Sequence, residues 1–197
     1  MGQIGDPYAT IEEMKQYQKM STINQGNTSM DASITSALDA ASRQVEQFCG
    51  RQFNKSELAT PRRFYVYRNR TSVAVDDFWS SDLIDIPDLD QFGYELEPFE
   101  GVVDGVPGWP YYRISINSGK FAIDGKITVT AKWGWAAVPS TVKQATLIIA
   151  NQLLRLSDAP LGVTGMDSQN GGPIRVRDIP QVAMLLNRFI STPILVG

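Results

Sequence analysis

Residues 34–50 are Ile34-Thr-Ser-Ala-Leu-Asp-Ala-Ala-Ser-Arg-Gln-Val-Glu-Gln-Phe-Cys-Gly50. Apolar residues recur in this stretch in steps of three and four, which predicts an amphipathic helix with one buried stripe. The final glycine stands where a left-handed C-terminal cap is expected. The stretch therefore places a helix, packed on one side, in the core of the fold.

The hydrophobic period changes to two between Pro61 and Trp133. This alternation, punctuated by glycine and proline, predicts short strands over residues 64–67, 72–75, 83–86, 94–96, 112–116, 121–123 and 126–133. Residues 101–110 are rich in glycine and proline and are predicted to form a protruding loop. A β-rich segment therefore follows the first helical part of the chain.

Helical patterns stand on both sides of this segment. Before it, a first helix is predicted from Ile11 to about residue 20, with Thr10 and Glu13 spaced as a capping box. After it, Ser140 is expected to cap a helix that reaches residue 156, and a last short helix is expected to start near Asp178 or Pro180.

These patterns predict an α+β fold, with a helical core of about four helices and a β-rich insertion between the second and third helices. We divide the chain into residues 1–60 for the N-terminal helices, residues 61–133 for the insertion, and residues 134–197 for the C-terminal helices, a mobile loop and a tail. The three parts are expected to form one structural domain with an insertion.

The composition excludes several classes of protein. The 197 residues include no histidine and one cysteine, so Ser-His-Asp and Cys-His nucleophiles and the usual zinc sites are impossible. A net charge of −3 argues against a protein that binds nucleic acid by a basic surface. No stretch approaches the length of a membrane span, and the start has no secretory pattern, so a cytosolic origin is expected.

The charge is unevenly distributed along the chain. Ten of the 21 acidic residues lie between Asp76 and Asp104, and no lysine or arginine occurs between Arg70 and Arg113. In a ring or stack, such polarity would supply complementary faces or one surface of a single sign. A solvated acidic loop region is the alternative interpretation.

Three possible ligand or catalytic sites are weak. Asp88-x-Asp90 has the opening spacing of a calcium loop, but Phe92 and Phe99 stand at its fifth and twelfth positions, so we reject an EF-hand. Carboxylate pairs for glycoside hydrolysis could be drawn from a set that any acidic β domain offers: Asp85, Asp88, Glu95 and Glu97.

Aromatic residues offer a third possibility, a platform for stacking sugars, although large aromatics on strands more often belong to a core. The residues concerned are Trp109, Tyr111, Tyr112, Trp133 and Trp135. Cys49, at the end of the second helix, is predicted to be a buried small hydrophobe. The residues themselves therefore predict no catalytic, metal or cofactor site.

Several stretches resemble head–tail connector (adaptor) proteins of long-tailed bacteriophages. Residues 34–53, ending in Gly50-Arg-Gln-Phe53, are similar to the first core helix of that family and its exit. Residues 129–145, with Trp133-Gly-Trp135, resemble its strand, turn and following helix. Residues 153–165 and 174–186 resemble its later loop and last helix. Tyr94-Glu-Leu-Glu-Pro98 fits members with an enlarged β insertion, especially in phages of actinobacteria.

The resemblance implies a non-enzymatic virion protein without a cofactor, assembled in the cytoplasm of the host bacterium and located at the head–tail interface. It implies a ring of twelve copies under the portal protein, which extends the DNA channel towards a stopper or tail-completion protein. Genomic DNA would pass without sequence-specific binding, and no membrane is involved. A stopper or tail-side connector ring is the alternative, followed by a carbohydrate-binding module and, more remotely, a carboxylate hydrolase.

The same resemblance gives two sets of residues a predicted role. A mobile loop and the C-terminal segment become portal-binding or neighbour-binding segments, with Leu161, Val163, Arg175, Arg177, Ile194, Leu195 and Val196 as candidates. The acidic run becomes a negative channel surface past which DNA slides without sticking. Its candidates are Asp76, Asp77, Asp82, Asp85, Asp88 and Asp90.

Overall fold

A computed structural model describes residues 4–18, 28–89, 93–121, 124–158 and 179–191. The chain divides into two compact units. One contains Gln52–Ala137, and the other contains the two segments Asp6–Arg51 and Val138–Ser191. The α-helices belong to the second unit and the strands to the first.

The first two predicted helices are present, but the first is shorter than predicted and ends at Tyr17 rather than near residue 20. Helix α1 covers Ile11–Tyr17 and helix α2 covers Asp31–Cys49. The Glu13 amide donates to Thr10 Oγ1 at 3.2 Å, and the Thr10 amide donates to Glu13 Oε2 at 2.8 Å. This reciprocal pair is the predicted capping box. Helix α2 ends at Gly50, whose φ of +63° is the predicted left-handed cap.

The later helices complete the second unit. Helix α3 covers Ser140–Asp158 and packs against α2 and against helix α4, Pro180–Leu186. Residues of α3 on more than one stripe are buried, as its continuous apolar pattern predicts. The Lys143 amide donates to the Pro139 carbonyl at 3.0 Å, so Pro139 precedes the first turn and Ser140 lies inside it. The predicted cap at Ser140 is therefore displaced by one residue.

Charged side chains connect α1 to its neighbours. Lys15 Nζ lies 2.6 Å from Asp31 Oδ1, and the Lys15 side chain is only 6% exposed. Lys143 Nζ lies 2.7 Å from Glu13 Oε1. Desolvation by partial burial, taken alone, would raise the pKa of Glu13, but the hydrogen bonds from Lys143 and the Thr10 amide outweigh it and lower that pKa.

The first unit is built on a five-stranded antiparallel sheet in the order β1-β7-β2-β6-β3. A separate hairpin joins β4 to β5. The strands are β1 Thr60–Val66, β2 Ser72–Asp85, β3 Tyr94–Glu97, β4 Val102–Val103, β5 Val106–Pro107, β6 Tyr111–Ile116 and β7 Gly125–Trp133. Register between β1 and β7 pairs Thr60 with Ala131 and Phe64 with Ile127.

One face of this sheet carries the apolar core of the unit. Alternate residues of β7 are buried, as a period of two requires. Phe78 of β2 packs edge-on against Trp133, with ring centroids 6.1 Å apart. The buried cluster also includes Val66, Val73, Ile114, Ile116, Ile127, Val129 and Ala131.

Two strand predictions differ from the structure. Residues 72–75 and 83–86 were predicted as separate strands, but β2 is continuous from Ser72 to Asp85. Its beginning pairs with β6 and its end with β7, and register shifts along it interrupt the period of two that the prediction used. Phe121, predicted to begin another strand, lies outside the strands, and residues 122–123 are outside the described residues.

The predicted loop at residues 101–110 contains the hairpin of β4 and β5. Asp104 and Gly105 form its turn with φ of +52° and +75°. An Asp-Gly turn between valines is a hairpin signal that the sequence does contain.

The predicted fold class is confirmed. Within the described ranges, four α-helices and a sizeable antiparallel sheet are present, and the strands lie between the second and third helices. No helix in those ranges combines the length and the apolar character needed to cross a bilayer.

Candidate functional site

One edge of the sheet, formed by β1 and its neighbour β7, is basic and aromatic. Arg63 and Tyr65 point away from the core, and Tyr65 is 57% exposed. Lys126 of β7 pairs in register with Tyr65, and its Nζ lies 5.5 Å from the centroid of that ring. Arg68, in the turn after β1, is also exposed. We call Arg63, Tyr65, Arg68 and Lys126 the basic edge.

The other edge of the sheet, formed by β3 and the turn after it, is acidic. Glu95 is exposed on β3, whereas Tyr94 and Leu96 pack against the core. The short 3-10 turn Phe99–Gly101 follows, with Phe99 71% exposed and Glu100 exposed beside it. Asp104 is exposed in the next turn. We call Glu95, Phe99, Glu100 and Asp104 the acidic edge.

A second carboxylate of β3 is already engaged within the sheet. Glu97 Oε2 lies 3.6 Å from Arg113 Nη1 on β6, and Ser115 Oγ donates a short hydrogen bond to Glu97 Oε1. Glu97 is therefore tied to β6, whereas Glu95 on the same strand is exposed.

The predicted channel-facing carboxylates occupy different environments. Asp76 Oδ2 accepts a hydrogen bond from Arg62 Nη1 at 2.6 Å, and Arg62 in turn stacks over Trp133. Asp77 Oδ2 accepts a hydrogen bond from Trp135 Nε1 at 2.8 Å. Asp85 is exposed at the end of β2. Asp77 thus has a clear structural contact in addition to its predicted role.

The other three predicted carboxylates can be placed only partly. Asp82 belongs to β2 and Asp88 to the 3-10 turn Pro87–Leu89, but their side chains are outside what the structure describes. Asp90 lies outside the described residues. In the described part of the chain, no group of three or more acidic, histidine or cysteine side chains could hold a metal ion.

The Trp-Gly-Trp turn after β7 is held by close backbone contacts. The Gly134 amide donates to the Asp77 carbonyl at 2.6 Å, and Gly134 forms a β-bridge with Lys55. Its φ is +93°, and a Cβ on this residue would lie 1.7 Å from the Asn54 carbonyl oxygen. Only glycine fits this position, because both the backbone angle and the space exclude a side chain.

The tryptophans of the possible sugar-stacking platform belong to the core, whereas Tyr111 and Tyr112 are half-buried. Trp109, Trp133 and Trp135 are all buried, with at most 8% of each residue exposed. The ring centroids of Trp109 and Trp135 are 5.1 Å apart, and Phe53 packs 5.2 Å from Trp135. These rings contact one another, so the core interpretation of the tryptophans is confirmed.

The predicted portal-binding residues cannot be placed. Leu161, Val163, Arg175, Arg177, Ile194, Leu195 and Val196 all lie outside the described residues. Cys49 is buried as predicted, and this burial raises the pKa of its thiol to about 12 against the smaller, opposing effect of the Arg51 charge. Such a thiol is an apolar core group rather than a nucleophile.

Sequence reasoning found the charge asymmetry but missed the two edges. The run of arginines before residue 71 and the acidic run after residue 75 are visible in the sequence. The strand order decides that β1 and β3 lie at the two sides of one sheet, and no local pattern encodes it.

Two solved structures resemble this chain over nearly its whole length. A chain from the neck of an empty GTA particle, computed with C6 symmetry, gives a TM-score of 0.52 at 18% identity, covering 96% of this chain and 93% of its own. A chain from the virion of a native gene transfer agent (GTA) particle gives 0.49 at 15% identity, covering 96% and 95%. Only the first exceeds 0.5, and it establishes a shared fold.

Comparison by sequence gives no further assignment. No protein-family model matches the chain, and no curated protein matches it.

Proposed function

We propose that this chain is a virion structural protein, a head-to-tail adaptor that forms a ring under the portal, extends the DNA channel and joins head to tail. The observation that carries the proposal is the fold shared with a neck chain over 96% of the present chain. Its alignment covers the helical core together with the β insertion. The sequence resemblance to head–tail connectors supports the same assignment independently.

The proposed assembly is a ring of twelve copies. The similar chain comes from a neck computed with C6 symmetry, and twelve is a multiple of six. A ring also gives a use to a chain whose surface charges are segregated, because copies related by rotation place unlike surfaces side by side. The proposed partners are therefore further copies of the chain, the portal protein, and a stopper or tail-completion protein.

The remaining parts of the proposal follow from this location. The protein acts without enzymatic activity or cofactor, assembles in the host bacterial cytoplasm and ends in the virion. Residues 1–60 and 134–197 are proposed as the core of the ring subunit, and residues 61–133 as its insertion. Genomic DNA passes without sequence-specific contacts.

Of the six carboxylates predicted to face the channel, one described residue is proposed for that role. Asp85 is the most direct candidate, because it is exposed and forms no ion pair with another described residue. Asp76 is already neutralised by Arg62, and the Asp77 carboxylate accepts the Trp135 indole hydrogen bond. Asp85→Lys is expected to slow DNA passage, measured as ejection and retention in reconstituted particles. Unchanged ejection and retention would remove the channel role.

The deciding experiment measures the native mass of the chain alone and after mixing with the portal ring from the same genome. A gain of one copy per portal subunit is expected. Leu195→Asp should weaken this binding at least tenfold if the C-terminal segment docks on the portal, since it places a charge in an apolar contact. Leu58→Asp is the matched control, because Leu58 is 76% exposed in the described structure and has no proposed role.

A lack of mass gain would contradict the adaptor assignment. If the chain instead joins purified tails, it is a stopper or a tail-side connector ring. If both leucine variants bind the portal as well as the wild type does, the C-terminal segment around Leu195 loses its predicted role in the portal contact.

A further inference from the structure

The two charged edges of the sheet belong to a surface that faces away from the apolar core. On β1, Phe64 and Val66 contact the core, so the intervening Arg63 and Tyr65 lie on the outer face. On β3, Tyr94 and Leu96 contact the core, so Glu95 lies on that same outer face. A single sheet surface therefore runs from positive at β1 to negative at β3.

The edges are also open along the backbone. On one side, strand β1 pairs with β7, and on one side, strand β3 pairs with β6. Within the described residues, no strand pairs with the other side of β1 or with the other side of β3. Natural proteins usually cover such edges or protect them with charge, proline or short length. Here β1 contains Pro61 and β3 has only four residues, so the side chains rather than a long backbone ladder are expected to carry any contact.

Exposed apolar groups accompany the charges on both sides. Tyr65 is 57% exposed beside Arg63 and Lys126, and Phe99 is 71% exposed beside Glu100. An exposed aromatic residue surrounded by charges of one sign is typical of a protein–protein contact in which the charges select the partner.

The strand directions decide which arrangement of copies fits. Each of the four neighbouring pairs in the sheet is antiparallel, so β1 and β3 run in the same direction. Two copies related by a two-fold axis would bring like edges together, Arg63 against Arg63 or Glu95 against Glu95, with repulsion. A head-to-tail arrangement instead sets β3 of one copy beside β1 of the next, in parallel and with opposite charges.

We infer that neighbouring copies of this chain contact one another head to tail, acidic edge against basic edge, through this sheet. The inference rests on the proposed function for its ring, because a head-to-tail contact closes into a ring only when its rotation permits and otherwise forms a filament. It names the surface that joins the subunits, which lies in the β insertion. The second copy is the occupant that the charge complementarity selects.

Two complementary charge-reversed variants test the inference. The first, Glu95→Arg with Glu100→Arg, makes both edges basic. The second, Arg63→Glu with Arg68→Glu, makes both edges acidic. Each alone should associate at least tenfold more weakly than the wild type in sedimentation velocity at low salt, where charge contacts are least screened. The control, Asp39→Arg with Glu57→Arg, makes the same change of net charge as the first variant at exposed residues outside the sheet edges.

The mixture of the two variants is the decisive sample. In a head-to-tail ring, every edge of one variant meets an opposite edge of the other, so the mixture should regain the wild-type association with the two chains alternating. A single chain carrying all four changes should also regain it. Folding of every sample is checked by circular dichroism and tryptophan fluorescence.

Several outcomes would overturn the inference. The first is a wild type that stays monomeric at millimolar concentration and low salt. The second is either charge-reversed variant, on its own, associating as strongly as the wild type. The third is a mixture of the two variants that does not regain the wild-type association. Loss of duplex DNA binding on Arg63 and Arg68 reversal, with self-association unchanged, would assign the basic edge to DNA instead. The self-association experiment contains no portal, so its outcome is independent of portal binding. If the copies associate as the charges predict but the chain does not bind the portal, only the proposed function is contradicted. If the chain binds the portal but the charge-reversed variants do not behave as expected, only this inference is contradicted.

Discussion

Replacing Gly134 by alanine is expected to destabilise the strand-containing unit by about 3–6 kcal/mol. Three contributions make up this magnitude. The backbone φ of +93° costs an alanine about 1–2 kcal/mol. Forcing a methyl group into a filled space typically costs about 1–3 kcal/mol. Separation of the paired backbones adds about 1 kcal/mol for a lost hydrogen bond.

The steric contribution follows from the atoms around the turn. The new Cβ would lie 1.7 Å from the Asn54 carbonyl oxygen and 2.8 Å from its carbon, where real Cβ atoms keep at least 3.0 Å. The backbones would therefore have to move apart by about 1.3 Å. That movement breaks the β-bridge between Lys55 and Gly134 and lengthens the hydrogen bond from the Gly134 amide to Asp77.

Gly108→Ala provides a matched control. Its φ is +90°, nearly that of Gly134, but a Cβ there would meet no atom within 4 Å. It should cost only the backbone contribution of about 1–2 kcal/mol. Urea unfolding followed by tryptophan fluorescence measures both variants, because Trp133 and Trp135 flank Gly134. Equal losses of stability in the two variants would refute the close approach of Asn54 to the turn.

Three further predictions concern the helical unit. Asp31→Ala should lower the free energy of unfolding by about 2 kcal/mol, because it removes the carboxylate that lies 2.6 Å from the buried Lys15 ammonium, and Lys15→Met in the same chain should restore part of the loss. Glu13→Gln should lower stability at pH 7, and the difference from the wild type should shrink as the pH falls below the ordinary glutamate pKa of 4.5. Cys49 should resist alkylation at pH 8 in the native protein and react rapidly in denaturant, because its thiol is buried and its pKa is raised to about 12.

The sign of the Glu13 prediction follows from its lowered pKa. The unfolded chain holds the Glu13 proton more tightly than the folded chain does, so the stabilisation is complete above the ordinary value of 4.5 and is lost as the pH falls through the folded value. Glutamine keeps the capping geometry and removes the titration. Thermal melts from pH 2.5 to 7 measure the difference in stability between the wild type and Glu13→Gln. A difference that stays constant across that range would contradict the prediction.

The other two predictions fail on equally direct results. An Asp31→Ala chain with wild-type stability would mean that the ion pair between Asp31 and Lys15 does not stabilise the fold. Rapid alkylation of Cys49 in the native protein would mean that the end of α2 opens readily, since alkylation requires both access and the thiolate.

Local signals in the sequence determined much of the helical unit. The capping box at Thr10, the glycine that ends α2 and the buried stripe between them depend on residues three or four apart, and each was predicted at its correct position. The exclusion of histidine and zinc chemistry depended on composition alone. The hairpin at Asp104-Gly105 was also encoded locally, although the prediction treated its segment as a loop.

Tertiary structure alone decided the features that depend on pairing between distant residues. Continuity of β2 depends on two partner strands that follow it in the chain, and register shifts hide it from any periodic pattern. The engagement of Asp77 by Trp135 joins residues 58 positions apart, so the acidic run could not show which of its carboxylates were already bonded. The two charged edges exist because the strand order places β1 and β3 at the two sides of one sheet. A sequence lists charges in order along the chain, and only the paired strands determine which of them face a neighbour.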